Sequence, residues 1–157
     1  HNMQCHQWEY DPLEVQPRQQ YDWDCSAAAT AWMGRATGWG WQETDVAFEF
    51  VRAGIATPRV GLLDGTGAGI VSWLSGQPYP SANQRVSFDQ VVALVENGCP
   101  AIIGSSAWYH WSGVRGTSDS GLLLLANSAP GWAGIYQTLD RTRFDTFGDF
   151  YAVYPTE

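Results

Sequence analysis

The chain has 157 residues, about the size of one compact domain, and an apolar fraction of 45% against only 15% charged residues excludes an intrinsically disordered protein. Its formal net charge is −8 and all eight basic residues are arginines scattered from Arg18 to Arg143, so no basic stripe supports nucleic-acid binding and the acidic surface suits a cationic or neutral partner. No apolar run approaches the roughly 18 residues of a membrane span.

Residues 1 to 23 mix Gln, Pro and acidic side chains without any period and read as an extended arm. The expected division is an arm at 1–16 and a domain at 17–157. There is no charged-then-apolar signal pattern, and His1-Asn2-Met3 is compatible with a scar left where a signal was removed. Secreted and cytoplasmic locations are both open, and nothing in the sequence speaks to the oligomeric state. Three cysteines, Cys5, Cys25 and Cys99, are too few and too irregularly spaced for a disulfide scaffold or a zinc site built on Cys-x-x-Cys pairs. If Cys5 and Cys99 pair, Cys25 is the thiol left over, but nothing in the sequence compels that pairing.

At Asp24 the character changes. Asp24 can cap a helix that starts at Cys25, runs through an alanine-rich stretch and ends at Gly38. Gln42 to Arg52 forms a second helix, with Val46, Phe48, Phe50 and Val51 as apolar surface and Gly54 past its end. Recurrent glycines from Gly54 to Gly69 predict a loop, followed by a short helical stretch around Ile70–Leu74. Ser87 and Gln90 form a capping-box pattern ahead of Val91, Val92, Leu94 and Val95, with Gly98 as the stop.

After Gly98 the pattern becomes β-like. Candidate strands are Pro100–Ser105, Trp108–Val114, Leu122–Asn127 and Ile135–Thr138; Asp140–Phe147 is a helical turn and Asp149–Tyr154 a last strand. Helices first and then a mostly antiparallel sheet make an α+β fold.

A cysteine becomes a nucleophile when its thiolate is accessible, and a helix N-terminus stabilises that anion through unpaired N–H groups and the helix dipole. Cys25 is so placed. An isolated cysteine is more often a small buried residue, and only a matching base changes that. The candidate base is His110, since His1 and His6 lie in the arm. Strands 109–115 and 121–127, taken as symmetric about Ser118/Asp119, pair 114 with 123, 112 with 125 and 110 with 127. Asn127 then lies opposite His110, where its amide oxygen accepts the imidazole N–H and leaves the other ring nitrogen for the thiol. A bulge in either strand would shift that register. Gln19 or Gln20, just upstream of Cys25, can donate to an oxyanion alongside the Cys25 N–H.

The stretch Gln19-Gln20-Tyr21-Asp22-Trp23-Asp24-Cys25-Ser26-Ala27-Ala28 resembles the Gln-x5-Cys opening of papain-like cysteine peptidases, above all the Asp-Cys-Gly-x-Ala form of the C39-like family, with Gln19 as the matching glutamine. Gly98-Cys99-Pro100-Ala101-Ile102-Ile103 is similar to the strand that precedes the catalytic histidine there, and His110-Trp111-Ser112-Gly113-Val114 to its His-led strand. Leu122 through Pro130 resembles the segment that carries the third catalytic residue, here Asn127. The resemblance covers about residues 17–154. It implies a papain-like fold, peptide-bond hydrolysis without metal or cofactor, and catalytic roles for Cys25, His110, Asn127 and Gln19.

Two departures stand out. Ser26 replaces the usual Gly and is expected to put a side chain beside the oxyanion position. Asn127 replaces the commoner Asp and is followed by Ser-Ala before Pro130. Asp119-Ser120-Gly121 reads as a polar turn rather than a serine nucleophile, and Gly65–Gly69 as a loop bordering the cleft rather than a phosphate loop. Among nine tryptophans, Trp23, Trp108 and Trp111 lie close enough to the candidate site to wall a groove for a peptide or peptide-like substrate. The expected activity is a Cys-His-Asn thiol hydrolase working through a thioester. The alternatives are a catalytically silent module that binds peptides or cell-wall fragments, and an acyltransferase or peptidoglycan amidase on the same site.

Overall fold

The computed structural model describes residues 5–6, 21–126 and 137–157. The first helix, α1 (Cys25–Ala36), is followed by α2 (Glu43–Arg52), a small hairpin of β1 (Ala56–Thr57) and β2 (Gly61–Leu62), and α3 (Ala68–Gly76). Then come β3 (Ser81–Arg85), α4 (Phe88–Glu96), β4 (Ile102–Ser105), β5 (His110–Thr117), β6 (Leu123–Leu125), β7 (Thr138–Leu139), α5 (Arg141–Phe147) and β8 (Phe150–Pro155). The main sheet has the order β3-β8-β4-β5-β6-β7, with each neighbouring pair antiparallel.

Two apolar cores lie on the two faces of this sheet. One gathers Val91 and Leu94 of α4, Phe144 of α5 and the sheet residues Ile103, Val114, Leu125 and Ala152. The other gathers Trp32 and Met33 of α1, Phe50 of α2, Ile70 and Leu74 of α3 and the sheet residues Ile102, Trp111 and Val153. Consecutive residues Ile102 and Ile103, like Ala152 and Val153, enter opposite cores, as the alternation of side chains along a strand demands. β4 is therefore buried along its whole length, and its unbroken apolar run follows from being covered on both faces. The fold is α+β, with the N-terminal helices packed on one side of a mostly antiparallel sheet and α4 and α5 on the other.

α1 is buried from Ser26 to Gly34 because small alanines on every side let it sit deep against its neighbours. Asp24 holds the N-cap position but its side chain caps nothing; its Oδ1 instead accepts the Tyr21 N–H at 3.1 Å. Ser87 and Gln90 form the full reciprocal capping box at the start of α4. Cys5 is disulfide-bonded to Cys99, and the neighbouring His6 N–H donates to the Pro155 carbonyl, so the start of the described chain is tied to the α4–β4 junction and the end of β8.

Two elements had no sequence signal. The loop expected over Gly54–Gly69 contains the β1–β2 hairpin, and polar Ser81–Arg85 forms the edge strand β3, selected by its pairing with β8. The hairpin register also differs from the symmetric one. Val114 pairs with Leu125, Gly116 with Leu124 and Thr117 with Leu123, not Val114 with Leu123. The turn closes further along the chain, with the Ser118 N–H on the Leu122 carbonyl, the Gly121 N–H on Ser118 and Gly121 at φ +83°. Arg115 is extruded as a bulge between Val114 and Gly116. The pairing 112 with 125 is thus overturned, and the direct opposition of 110 and 127 inferred from it loses its basis.

Candidate active site

Cys25 is the first residue of α1 and His110 the first residue of β5, and both line one cleft of about 430 Å³. Trp23 forms one wall, the β1–β2 hairpin from Pro58 to Leu63 another, and Ser105, Tyr109 and Trp111 complete the floor and rim. Gly61, at φ +80°, makes this enclosure possible: a Cβ there would come within 2.8 Å of the Trp23 carbonyl oxygen, so the hairpin presses directly on the Trp23 backbone.

Cys25 is the one free cysteine among the described residues, and it is half-buried. Burial pushes its thiol up from 9.0 to about 11. The backbone N–H groups of Trp111 and Ser26 point at the sulfur and pull the other way, while the Asp24 carboxylate adds to the rise. Trp111, the residue that follows His110, is thus one of the groups that set the thiol. Asp24 is almost wholly buried, and its Oδ2 has no hydrogen-bond partner among the described residues.

His110 is 3% exposed. Its ring meets Trp108 edge-on at 4.9 Å, with the planes at 90°, and Trp108 in turn packs on Phe150 at 5.5 Å. The imidazole is therefore braced from behind by the aromatic core. Opposite His110 in the β4–β5 register is Ser105, whose Oγ donates to the Gly148 carbonyl at 2.6 Å.

Of the residues singled out in the sequence, Cys25, His110, Trp23 and Trp111 come together at the cleft. Trp108 does not line it; it is buried behind His110. Gln19 and Asn127 lie outside the described residues. Ser26 is 1% exposed and is not among the residues that line the cleft. The hairpin residues Val60 and Leu63 and the strained Tyr109 also border the cleft. Their role had no signal in a glycine-rich stretch read as a loop, because it depends on a fold-back against Trp23.

No protein-family model and no curated protein sequence matches the chain. Solved structures do. A double-glycine-motif protease from an AMS/PCAT transporter, in complex with the leader peptide, superposes with a TM-score of 0.63 at 17% identity, covering 92% of this chain and 96% of that one. The peptidase domain of Streptococcus ComA, a bifunctional ABC transporter of a quorum-sensing pathway, superposes at 0.65 with 16% identity, covering 90% and 96%. The chain is thus similar over most of its length to C39 double-glycine peptidase domains and shares their papain-like fold.

Proposed function

We propose that this protein is a thiol-dependent hydrolase of peptide or amide bonds, carried by residues 17–157. The observation that carries the reading is that Cys25, at a helix start, and His110, at a strand start, open onto one cleft, with the Trp111 N–H directed at the sulfur. Because burial keeps the resting thiol protonated, His110 acts as a general base during attack rather than as the partner of a preformed thiolate. Cys25 Sγ adds to the carbonyl carbon as His110 takes the thiol proton. The oxyanion is held by the Cys25 N–H and the Gln19 amide. His110 then gives its proton to the departing amine, leaving a thioester. Water, deprotonated by His110, hydrolyses the thioester and returns the thiol. Asn127 orients the imidazole; this role rests on its place in the resembling segment. The two fold neighbours, one solved with a leader peptide and the other a peptidase domain, favour a peptide substrate.

The test is the pH dependence of iodoacetamide labelling at Cys25. Expected is labelling near neutral pH faster than a thiol of its raised pKa gives alone, lost in His110→Ala. Equal rates in the two proteins remove His110 from the reaction. Peptide turnover should vanish in Cys25→Ala and fall in Asn127→Ala and Gln19→Ala.

A second reading, a silent peptide-binding module, is favoured by one observation, the upward displacement of the Cys25 thiol. Peptide binding that survives Cys25→Ser, with no turnover by the wild type under any pH, would select it.

A further inference from the structure

Tyr109 combines three properties that an ordinary surface residue does not share. It is one of two non-glycine residues with positive φ among the described residues, at +57°. Its side chain is 68% exposed although it is a large aromatic. Its hydroxyl nonetheless donates to the Val60 carbonyl at 3.1 Å, a contact that joins residues 49 apart in the chain. Residues held in left-handed backbone conformations persist only where the surroundings over-determine them, and they concentrate at functional sites.

The two ends of this contact flank the cleft. Tyr109 closes the turn that leads into His110, its N–H fixed on the Ser105 carbonyl at 2.8 Å. Val60 lies at the tip of the β1–β2 hairpin, held by its N–H to the Thr57 carbonyl and Thr57 Oγ1. The base of that hairpin is closed by the Leu63 N–H on the Ile55 carbonyl at 2.9 Å, and Gly61, the β2 residue next to the tip, lies against Trp23. Among the described residues the Tyr109 hydroxyl joins the tip to the His110 side of the cleft, and both Tyr109 and Val60 line the cleft that holds Cys25 and His110.

We infer that the Tyr109–Val60 contact is a strap across the cleft that selects substrates by breadth: a narrow, extended, unbranched polypeptide passes beneath it, and a broad or branched group must first break it. The left-handed backbone of Tyr109 is what aims the side chain across the cleft instead of along the strand. A cleft of about 430 Å³ lies in the lower part of the range for ligand sites, roughly 300–1,000 Å³, so an aromatic ring at its rim removes a meaningful share of the opening. The inference requires only that Cys25 line the cleft. It stands or falls independently of peptidase activity.

Cys25 serves as the reporter. N-ethylmaleimide and fluorescein maleimide share one chemistry and differ in breadth, so the ratio of their labelling rates at a fixed pH cancels any change in thiol ionisation. Tyr109→Phe keeps the ring and deletes the tie; the broad-to-narrow ratio should rise about fivefold, the equilibrium shift expected for one neutral hydrogen bond. Tyr109→Ala deletes the ring as well and should raise the ratio further. A ratio unchanged in both variants, or rates that rise equally for both reagents, overturns the strap. Should Tyr109→Ala fail to fold by thermal unfolding, Tyr109→Phe alone decides.

Discussion

The indole of Trp111 packs so closely on Gly104, its partner across the β4–β5 pair, that a methyl group at position 104 would overlap the ring. Trp111 is also the residue whose N–H faces the Cys25 sulfur, so this contact between strands positions one side of the cleft. Gly104→Ala should therefore displace the indole and cost about 1–3 kcal/mol of stability, the usual cost of overpacking. Urea denaturation measures the loss, and altered Cys25 labelling should accompany it. A variant as stable as the wild type would show that the ring moves aside freely.

Asp24 opposes ionisation of its chain neighbour. Its carboxylate is buried beside Cys25 and raises the thiol, so Asp24→Asn should lower the Cys25 pKa and speed alkylation at pH 8. The N–H of Tyr21 keeps an acceptor in the asparagine oxygen, so the turn before α1 should survive. The pH profile of iodoacetamide labelling checks this, and an unchanged midpoint would refute it.

Stability should fall as the pH rises from about 9 to about 11. Folded Cys25 holds its proton more tightly than the unfolded chain, up from 9.0 to about 11 because of burial. Below pH 9 both states are protonated and the contribution is complete. Between the two values the unfolded chain ionises alone, and the contribution, on the order of 2 kcal/mol, is lost. Tyr79, pushed by burial from 10.0 to about 12 against the opposing hydrogen bond to Thr37, extends the decline at higher pH. Cys25→Ala should flatten the first part of the urea-midpoint curve, and Tyr79→Phe the second.

The Cys5–Cys99 bridge spans a sequence separation of 94 residues, a long loop whose closure restricts the unfolded chain. Reduction, or the double substitution Cys5→Ser/Cys99→Ser, should cost about 2–5 kcal/mol. Denaturation with and without reductant measures this. The double variant keeps Cys25 alone and should be insensitive to reductant; wild-type stability that reductant leaves unchanged would refute the contribution of the bridge.

Ser26→Gly restores the glycine of the resembling families. Since Ser26 is buried within α1 and does not line the cleft, the change should leave peptide turnover nearly unaltered. It should lower stability by about a few tenths of a kcal/mol, the difference in helix propensity between serine and glycine. A large gain in turnover would place the serine side chain in the oxyanion region after all.

Local chemistry was readable wherever neighbours in sequence are also neighbours in space. The Ser87/Gln90 capping box, the start of a helix at Cys25 and the strand after Gly98 each depend on interactions within a few residues, and each lies where its pattern predicts. The hairpin was not readable in the same way. Its turn and the Arg115 bulge shift the pairing so that Val114 meets Leu125, because backbone bonds at Ser118 and the Arg115 Nε bond to the Leu125 carbonyl favour a geometry that strand symmetry does not encode.

By itself the sequence determined the α+β plan, the helix that begins at Cys25 and the pairing of that cysteine with His110 as candidates, since hydrophobic period, caps and residue chemistry are local properties. Tertiary structure alone decided that polar Ser81–Arg85 becomes a strand beside β8, that Cys5 reaches Cys99, and that Tyr109 meets Val60 over the cleft. Each of those contacts joins residues 49 to 94 apart or pairs a segment with a distant strand. Its free energy comes from burial and hydrogen bonds that exist only once the sheet has assembled.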